Sequence, residues 1–523
     1  MPKAATVSEN NKRIAKNTLM LYVKMGVMML VSLYTSRVIL QTIGVDDFGI
    51  YNVVGGVVVL FSFLNAAMSS ATQRFLNFEL GKKDLVQVGR VFSMSLTVHF
   101  CIAGLVLFLA ETVGLWFLNA ELNIPAERMV AANWVYQFSV ASTLLGILLV
   151  PYNATIIAYE RMAFYAWTSI FRVLLLLGIV YLLTIGNLDK LILYAGLVFA
   201  VNALMQIVYI AYCKHTFPQT AIYNPFRDKK LFQELISFSG WSLFGGVANM
   251  SASQGINIVM NIFCGVAVNA AMGIANHVNA AIYQFVANFQ TAFNPQIIKL
   301  YSSGETEAFI RLIFRASKIS YFMMFLLTLP LLLNTEFILG IWLGEVPEFA
   351  ADFTRLTLAF ALVDALSGPL WMSVQATGEI RNYQLIVSAF IFSNLPFAIL
   401  LLWLGMPPAW VLALKVFINI VVTVWRAFYL KGKVGLPTWK FLKEVLGRVC
   451  IVSGAAALPA ICAWNSISPS EPWLRFLASS LVAFFATAIF AGFFGLTRDE
   501  RATFTRIVRS RLFNLRQRTR EDF

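Results

Sequence analysis

Five ionisable side chains lie inside long apolar stretches of this sequence: Lys24, Arg37, Arg172, Asp364 and Lys415. A charge within a membrane-crossing helix costs roughly 2.5–3.5 kcal/mol on insertion scales, so each should face a partner or a wet cavity. Four of the five are cations. Arginine offers a planar fork of donors that suits a phosphate, and lysine a compact point charge, so the chemistry on offer is the holding of an anion. Arg172 and Asp364 fall nearest the middle of their runs, and a buried pairing with a neighbouring span is the rival role for Arg172. Lys24 lies about one and a half turns from one end of its run, and Lys415 near an end, where long side chains also snorkel. On a helix of 3.6 residues per turn Lys24 and Arg37 point about 140° apart, so both cannot aim squarely at one site. Asp364 is followed by Gly368-Pro369, which can loosen a helix beside a cavity. It could bind a coupling cation or proton, or pair with Arg172 or Lys415.

A second group is uncharged. Asn257, Asn261, Asn276 and Gln284, with Asn249, Gln254, Asn269, Asn279, Asn288 and Gln290, crowd two adjacent apolar runs at steps of three or four residues. Such a carboxamide face either bonds neighbouring helices together or lines a hydrated lumen. Amides suit neutral sugars; cations suit phosphate. His99 and His277 lack companions at metal-ligand spacing, which favours hydrogen-bonded core histidines. Five cysteines without CxxC spacing read as small core residues, and no metal or cofactor is expected.

The elements that must position these groups follow from composition. Of 523 residues 59% are hydrophobic and 13% charged, and the mean hydropathy is +0.73. A water-soluble domain needs far less apolar surface, so the chain is a polytopic membrane protein. Hydropathy places about fourteen spans, near 17–42, 48–70, 88–110, 129–157, 162–184, 190–212, 236–262, 268–293, 310–334, 353–377, 382–404, 409–430, 444–464 and 472–496. Lys and Arg collect in alternate loops: Lys12 and Arg13, then Lys82 and Lys83, then Lys229 and Lys230, then Lys299 and Arg311, Arg315 and Lys318, then Lys431 and Lys433. The loops between hold mainly acids such as Asp46, Asp47, Glu111, Asp189 and Glu336. The positive-inside rule therefore places both termini in the cytoplasm, and explains the net charge of +14 without nucleic acid. The Asp46-Asp47 loop reads as a solvated acidic turn, too short for the donor site of a glycosyltransferase or polymerase. Phe504, Val508, Leu512 and Leu515, with arginines between, read as an amphipathic helix lying on an anionic leaflet. Tryptophans at run ends, including Trp116, Trp342 and Trp473, fit an interfacial belt.

The chain also echoes itself. Gly49-Ile50-Tyr51-Asn52 returns as Gly273-Ile274-Ala275-Asn276, and Gly81-Lys82-Lys83-Asp84 as Gly304-Glu305-Thr306-Glu307. Six spans separate the copies, an even number, so the halves enter the membrane in the same sense. Two pseudo-symmetric lobes around a central cavity follow: residues 17–213 and 231–430. A cytoplasmic N-terminus (1–16), a linker (214–230), two extra spans (431–496) and a basic tail (497–523) complete the division.

The segment from Leu33 to Asp84, and less sharply Phe263 to Gly304, resembles bacterial polysaccharide exporters of the oligosaccharide-flippase type. These belong to the multidrug/oligosaccharidyl-lipid/polysaccharide (MOP) transporter superfamily. The resemblance implies an all-α membrane fold like that of the multidrug and toxin extrusion (MATE) transporters, here with a C-terminal interfacial helix. It implies a non-enzymatic flippase in the inner membrane of a bacterium. Its substrate would be a polyprenyl-pyrophosphate oligosaccharide for cell-surface polysaccharide or O-antigen. Arg37, Arg172, Lys24 and Lys415 would meet the anionic headgroup, and Asn257, Asn261, Asn276 and Gln284 the sugars. Asp364 would couple an ion. Membrane lipids and the polymerase and chain-length proteins of the same pathway would be its partners, and the chain would act as a monomer. A drug/cation antiporter of the same superfamily is the competing reading, for which Asp364 is the supporting residue.

Overall fold

The computed structural model describes residues 17–28, scattered positions between 31 and 54, and residues 63–120, 124–183, 189–497 and 500–501. Of residues 63–67, 261, 266–267 and 269–270 it describes the backbone alone. Arg37, Asp46 and the arginine-rich tail beyond 501 lie outside the described residues. Among those described the chain is all helical, with no strand.

Residues 17–28 begin α1. There follow α2 (Phe63–Lys82), α3 (Leu85–Leu109), α4 (Met129–Ala158), α5 (Met162–Leu182) and α6 (Lys190–Thr216). The second half holds α7 (Lys229–Cys264), α8 (Val266–Ser302), α9 (Thr306–Leu333), the short α10 (Thr335–Leu343), α11 (Ala350–Thr377), α12 (Arg381–Trp403) and α13 (Ala409–Val434). Two more follow, α14 (Arg448–Ser466), which continues a helical turn and a π-helical segment from Thr438, and α15 (Pro472–Phe490).

These bounds track the hydropathy reading, because about 20 apolar residues are what a 30 Å hydrocarbon layer requires. Ten helices among the described residues are long and apolar enough to cross a membrane. Neither α7 nor α8 is among the ten, although they run for 36 and 37 residues. Their carboxamides dilute the hydropathy. With these two and the first two apolar runs, the architecture is one of about fourteen spans. Large side chains such as Leu458, Trp403 and Phe417 are more than three-fifths exposed, as befits helices whose outer face meets lipid. Trp116, Trp342, Trp410, Trp439 and Trp473 are exposed at helix ends, where an aromatic belt belongs.

The helices form two lobes. In the first, α2, α3 and α4 pack on one another and α4 packs on α6; in the second, α8 and α9 pack on α11, α11 on α13, and α7 on α12. Small residues let α7 and α12 close up: a Cβ at Gly255 would stand 2.6 Å from Leu395 Cδ2. The repeat is visible in the helix starts, since α3, α4, α5 and α6 begin at 85, 129, 162 and 190, and α9, α11, α12 and α13 at 306, 350, 381 and 409. The offset is 221 for the first two pairs and 219 for the others. The turns repeat too. Lys83 (φ 63°) matches Gly304 (φ 75°), and Glu160 (φ 58°) matches Gly378 (φ 79°). The lobes join where α2 packs on α7, α8 and α11, and α3 on α7. This seam lies toward the end of the bundle that carries the basic loops, called here the basic face.

Several expectations are corrected. Lys318 belongs to no loop but to the interior of α9, 2% exposed, with its Nζ 2.7 Å from Glu500 Oε2. That pair ties the chain after α15 back to the second lobe. Of the cysteines only Cys213 is buried, while Cys101, Cys450 and Cys462 are exposed. Apolar residues of a membrane protein are not obliged to face inward. His99 is a buried histidine with Nδ1 2.7 Å from the Ser95 carbonyl, as expected, but His277 is exposed.

Candidate functional site

Two of the intramembrane cations converge. Arg172 stands ten residues into α5, about 15 Å along its axis and so near mid-membrane. Lys24 reaches in from α1, its Nζ 3.8 Å from the centre of the Tyr165 ring on α5. Both line one cavity of about 380 Å³ in the first lobe, together with Ser169, Asn202, Gln206 and Tyr209. No Asp or Glu is among the described residues lining it. The cation–π contact holds an ammonium over a ring without neutralising it.

Asn202 on α6 does the same for the guanidinium. Its Oδ1 accepts from Arg172 Nε at 3.2 Å and from Nη2 at 2.9 Å, so one neutral oxygen orients the fork. The expected alternative for Arg172, pairing with a neighbouring span, is thus realised with an uncharged partner that leaves the positive charge whole. Nothing in the sequence singled out Asn202 or Gln206, polar positions isolated within an apolar run.

The second lobe holds the acid. Tyr283 on α8 donates to Asp364 Oδ2 at 2.7 Å. Among the described ion pairs Asp364 joins neither Arg172 nor Lys415. Lys415 instead lies over the Phe360 ring, 4.8 Å from its centre, on the turn of α11 before Asp364. Arg426 on α13 enters the same region and donates to Ser367 Oγ. Pro369 cannot supply an N–H to the carbonyl four residues earlier. That freed oxygen, on Ala365, accepts from Gln290 Nε2 at 3.4 Å, and Gly368 leaves the room, since a Cβ there would stand 2.8 Å from Gln290 Cδ. At least this carboxamide bonds helix to helix.

The other carboxamides divide. Asn276 and Gln284 are exposed on α8, Asn276 in the half of that helix away from the basic face and Gln284 at its midpoint. Asn257 on α7 is half-buried and donates to Gln254 at 3.3 Å. The side chain of Asn261 lies outside the described residues.

Two further cavities lie among the described residues. One of about 770 Å³ at the basic face is lined by Arg74, Lys230, Trp241, Arg381 and the ion-paired Glu379 and Lys433 (2.5 Å). The other, about 810 Å³, is almost wholly apolar and lies among Tyr22 of α1, Phe322 and Met323 of α9 and Ile489 and Phe493 at α15. At the opposite end of the bundle Arg128 bridges Asp47 and Asp189, its Nη1 2.6 Å from Asp189 Oδ2 and its Nε 2.9 Å from Asp47 Oδ1. Asp47 of the acidic turn is therefore half of a clamp and not simply solvated. Partial burial alone would raise the Asp189 carboxyl, but the Arg128 hydrogen bond and the backbone N–H groups of Ile192 and Leu191 hold it below the usual range.

This geometry defines a multi-pass membrane protein with the fold of the MOP-superfamily transporters. A MATE transporter of that superfamily in its outward-facing conformation superposes with a TM-score of 0.70, at 12% identity over 82% of this chain and 96% of its own. A MOP transporter from Pyrococcus furiosus, described as having a binding pocket of reversed polarity that suggests a different function, gives 0.67 at 12% identity, with the same coverage. A MATE protein in complex with MaL6 gives 0.66 at 14% over 83% and 99%. The chain is also 21% identical over 484 residues, 90% of its length and 93% of the other's, to the uncharacterized membrane protein EpsK of Bacillus subtilis (strain 168). It matches no protein-family model.

Proposed function

We propose that this chain is a flippase that carries a polyprenyl-pyrophosphate oligosaccharide from the cytoplasmic to the outer leaflet by alternating access. The basic face is then the cytoplasmic one, as the positive-inside rule directs. The observation that carries the reading is the first-lobe cavity, where Lys24 and Arg172 meet with no carboxylate among its described lining. Such a site attracts an anion and repels a cationic drug. Arg172, oriented by Asn202, would hold a phosphate oxygen, and Lys24 would supply a second charge. Asn276 and Gln284, exposed on α8, would meet sugar hydroxyls. The apolar cavity beside Tyr22 supports the same substrate, because a polyprenyl tail needs an unbroken apolar path while its headgroup crosses. Arg37 and Lys415 stay in the proposal as further cations for the headgroup, and Arg37 lies outside the described residues.

A drug/cation antiporter is the second reading, favoured by Asp364 and its Tyr283 partner. Under the flippase reading Asp364 biases the cycle by binding an ion. In a strain lacking this chain, polyprenyl-linked oligosaccharide should accumulate on the cytoplasmic leaflet and surface polysaccharide should be lost, with drug tolerance unchanged. Normal surface polysaccharide with heightened sensitivity to cationic drugs, reproduced by Asp364→Asn, would establish the antiporter instead.

A further inference from the structure

We infer that the basic face is closed by two latches related by the internal repeat, and that together they set which side of the membrane the transporter opens to. Each latch sends a side chain from a seam helix of one lobe to the end of a long helix in the other. From the first lobe, Arg74 of α2 reaches the last turn of α11, with Nε 3.3 Å from the Gln375 carbonyl and Nη2 3.2 Å from that of Ala376. Carbonyls there carry the negative end of the helix dipole, so a cation is the fitting donor, and the Gln375 oxygen accepts from Arg74 beside the Gly378 N–H that caps it at 3.1 Å. From the second lobe, Gln296 and Lys299 of α8 reach Glu160, just past the end of α4. Glu160 Oε1 accepts from Gln296 Nε2 at 2.6 Å and from Lys299 Nζ at 2.8 Å.

The correspondence is specific. The repeat matches α4 to α11, and the left-handed residue that closes each is Glu160 in one lobe and Gly378 in the other. The turns that follow α2 and α8 match as well, at Lys83 and Gly304. The central group of each latch is buried: Arg74, on the wall of the basic-face cavity, is 7% exposed and the Glu160 side chain 1%. Between them α2 lies directly on α8 at Gly81, where a Cβ would stand 2.6 Å from the Lys299 carbonyl oxygen and 2.8 Å from its Cα. Backbone cannot yield as a side chain can, so a glycine there is a condition of closure. Opening the basic face must part both latches and this contact at once. The inference concerns the lobes alone and holds whatever the cargo.

The test is a pair of single-cysteine reporters in a background whose five native cysteines are serine. Asn77→Cys lies on α2 at the seam, fully buried; Gln284→Cys lies at the midpoint of α8, exposed. Each is labelled in full-length protein in oriented vesicles with a membrane-impermeant maleimide added from one side. Glu160→Gln and Arg74→Gln should each raise labelling of position 77 from the basic face about tenfold, and lower labelling of position 284 from the opposite face. Gly81→Ala should do the same without any change of charge. Protection of position 77 in all three variants would overturn the inference. So would a rise at both reporters together, which signals local loosening and not exchange between two states.

Discussion

Replacing Asn202 by aspartate leaves the shape of the first-lobe cavity almost unchanged and removes its defining property, an uncompensated positive charge. Arg172 donates twice to Asn202 Oδ1, at 3.2 and 2.9 Å, and an aspartate oxygen can accept both bonds. The new carboxylate would sit about 4 Å from the guanidinium centre, an attraction of about 4 kcal/mol at an effective dielectric near 20. An oxyanion on the far side of the fork would lie about 6–7 Å from that carboxylate. The repulsion is then about 2–3 kcal/mol, or a roughly 30- to 100-fold loss of affinity at 1.4 kcal/mol per tenfold. Asn202→Ala keeps the charge and loses only the orientation, so it should cost less than Asn202→Asp, on the order of tenfold from a charge-assisted hydrogen bond. The assay is transport of lipid-linked oligosaccharide in proteoliposomes, with inorganic pyrophosphate as competitor and thermal unfolding in detergent as the check on folding. A folded Asn202→Asp variant that transports as the wild type, or outperforms Asn202→Ala, would falsify the anion-site reasoning.

Two more outcomes are expected. Lys318→Met leaves the Glu500 carboxylate with the Thr497 N–H, 2.7 Å away, in place of its ion pair, and unpairing a buried charge costs up to about 3–5 kcal/mol, so the melting temperature should fall by several degrees. Adding Glu500→Gln should recover most of the loss; no recovery would mean that Lys318 acts through its packing. At the opposite end Asp189 is held below its usual range, so the stability it lends is complete above about pH 4 and is lost only as pH falls through its lower folded value. Wild type and Asp189→Asn should therefore differ by a constant amount in melting temperature from pH 5 to 8 and converge below pH 4. A difference that changes between pH 6 and 8 would contradict the assignment.

Length and apolarity made the helices legible, and even α7 and α8, the two that fail a hydropathy criterion, are marked by the amides responsible. Lys24 and Arg172 were legible as anomalies, but their meeting was not, because it depends on how α1, α5 and α6 pack. Asn202 was silent for a related reason: with Gln206 four residues on it makes a single i, i+4 pair in an apolar helix, too short a run to mark a face. Loop counting misread other groups. It assigns Lys299 to topology by its sign alone, yet at the seam it is a partner of the opposite lobe. The cysteines fail differently, since statistics that equate apolar with interior come from proteins surrounded by water. Asp364 was expected to meet a cation or an ion, and its observed partner is a tyrosine hydroxyl supplied by α8.

The matched turns at Glu160 and Gly378 differ in a way that bears on how such a chain can change. Glycine adopts a left-handed backbone freely, whereas glutamate at φ 58° is strained by about 1 kcal/mol or more. The first lobe keeps that strain where the second has removed it, and a carboxylate that reaches across the seam is what it retains. Glycine at residue 160 would shed that strain only by giving up the buried carboxylate that accepts from Gln296 and Lys299, and breaking a buried pair typically costs about 3–5 kcal/mol, several times the strain relieved. Robustness and lobe closure therefore pull the same way at residue 160, and the two halves of the fold meet one backbone demand with different residues because only one of them sends a carboxylate across the seam.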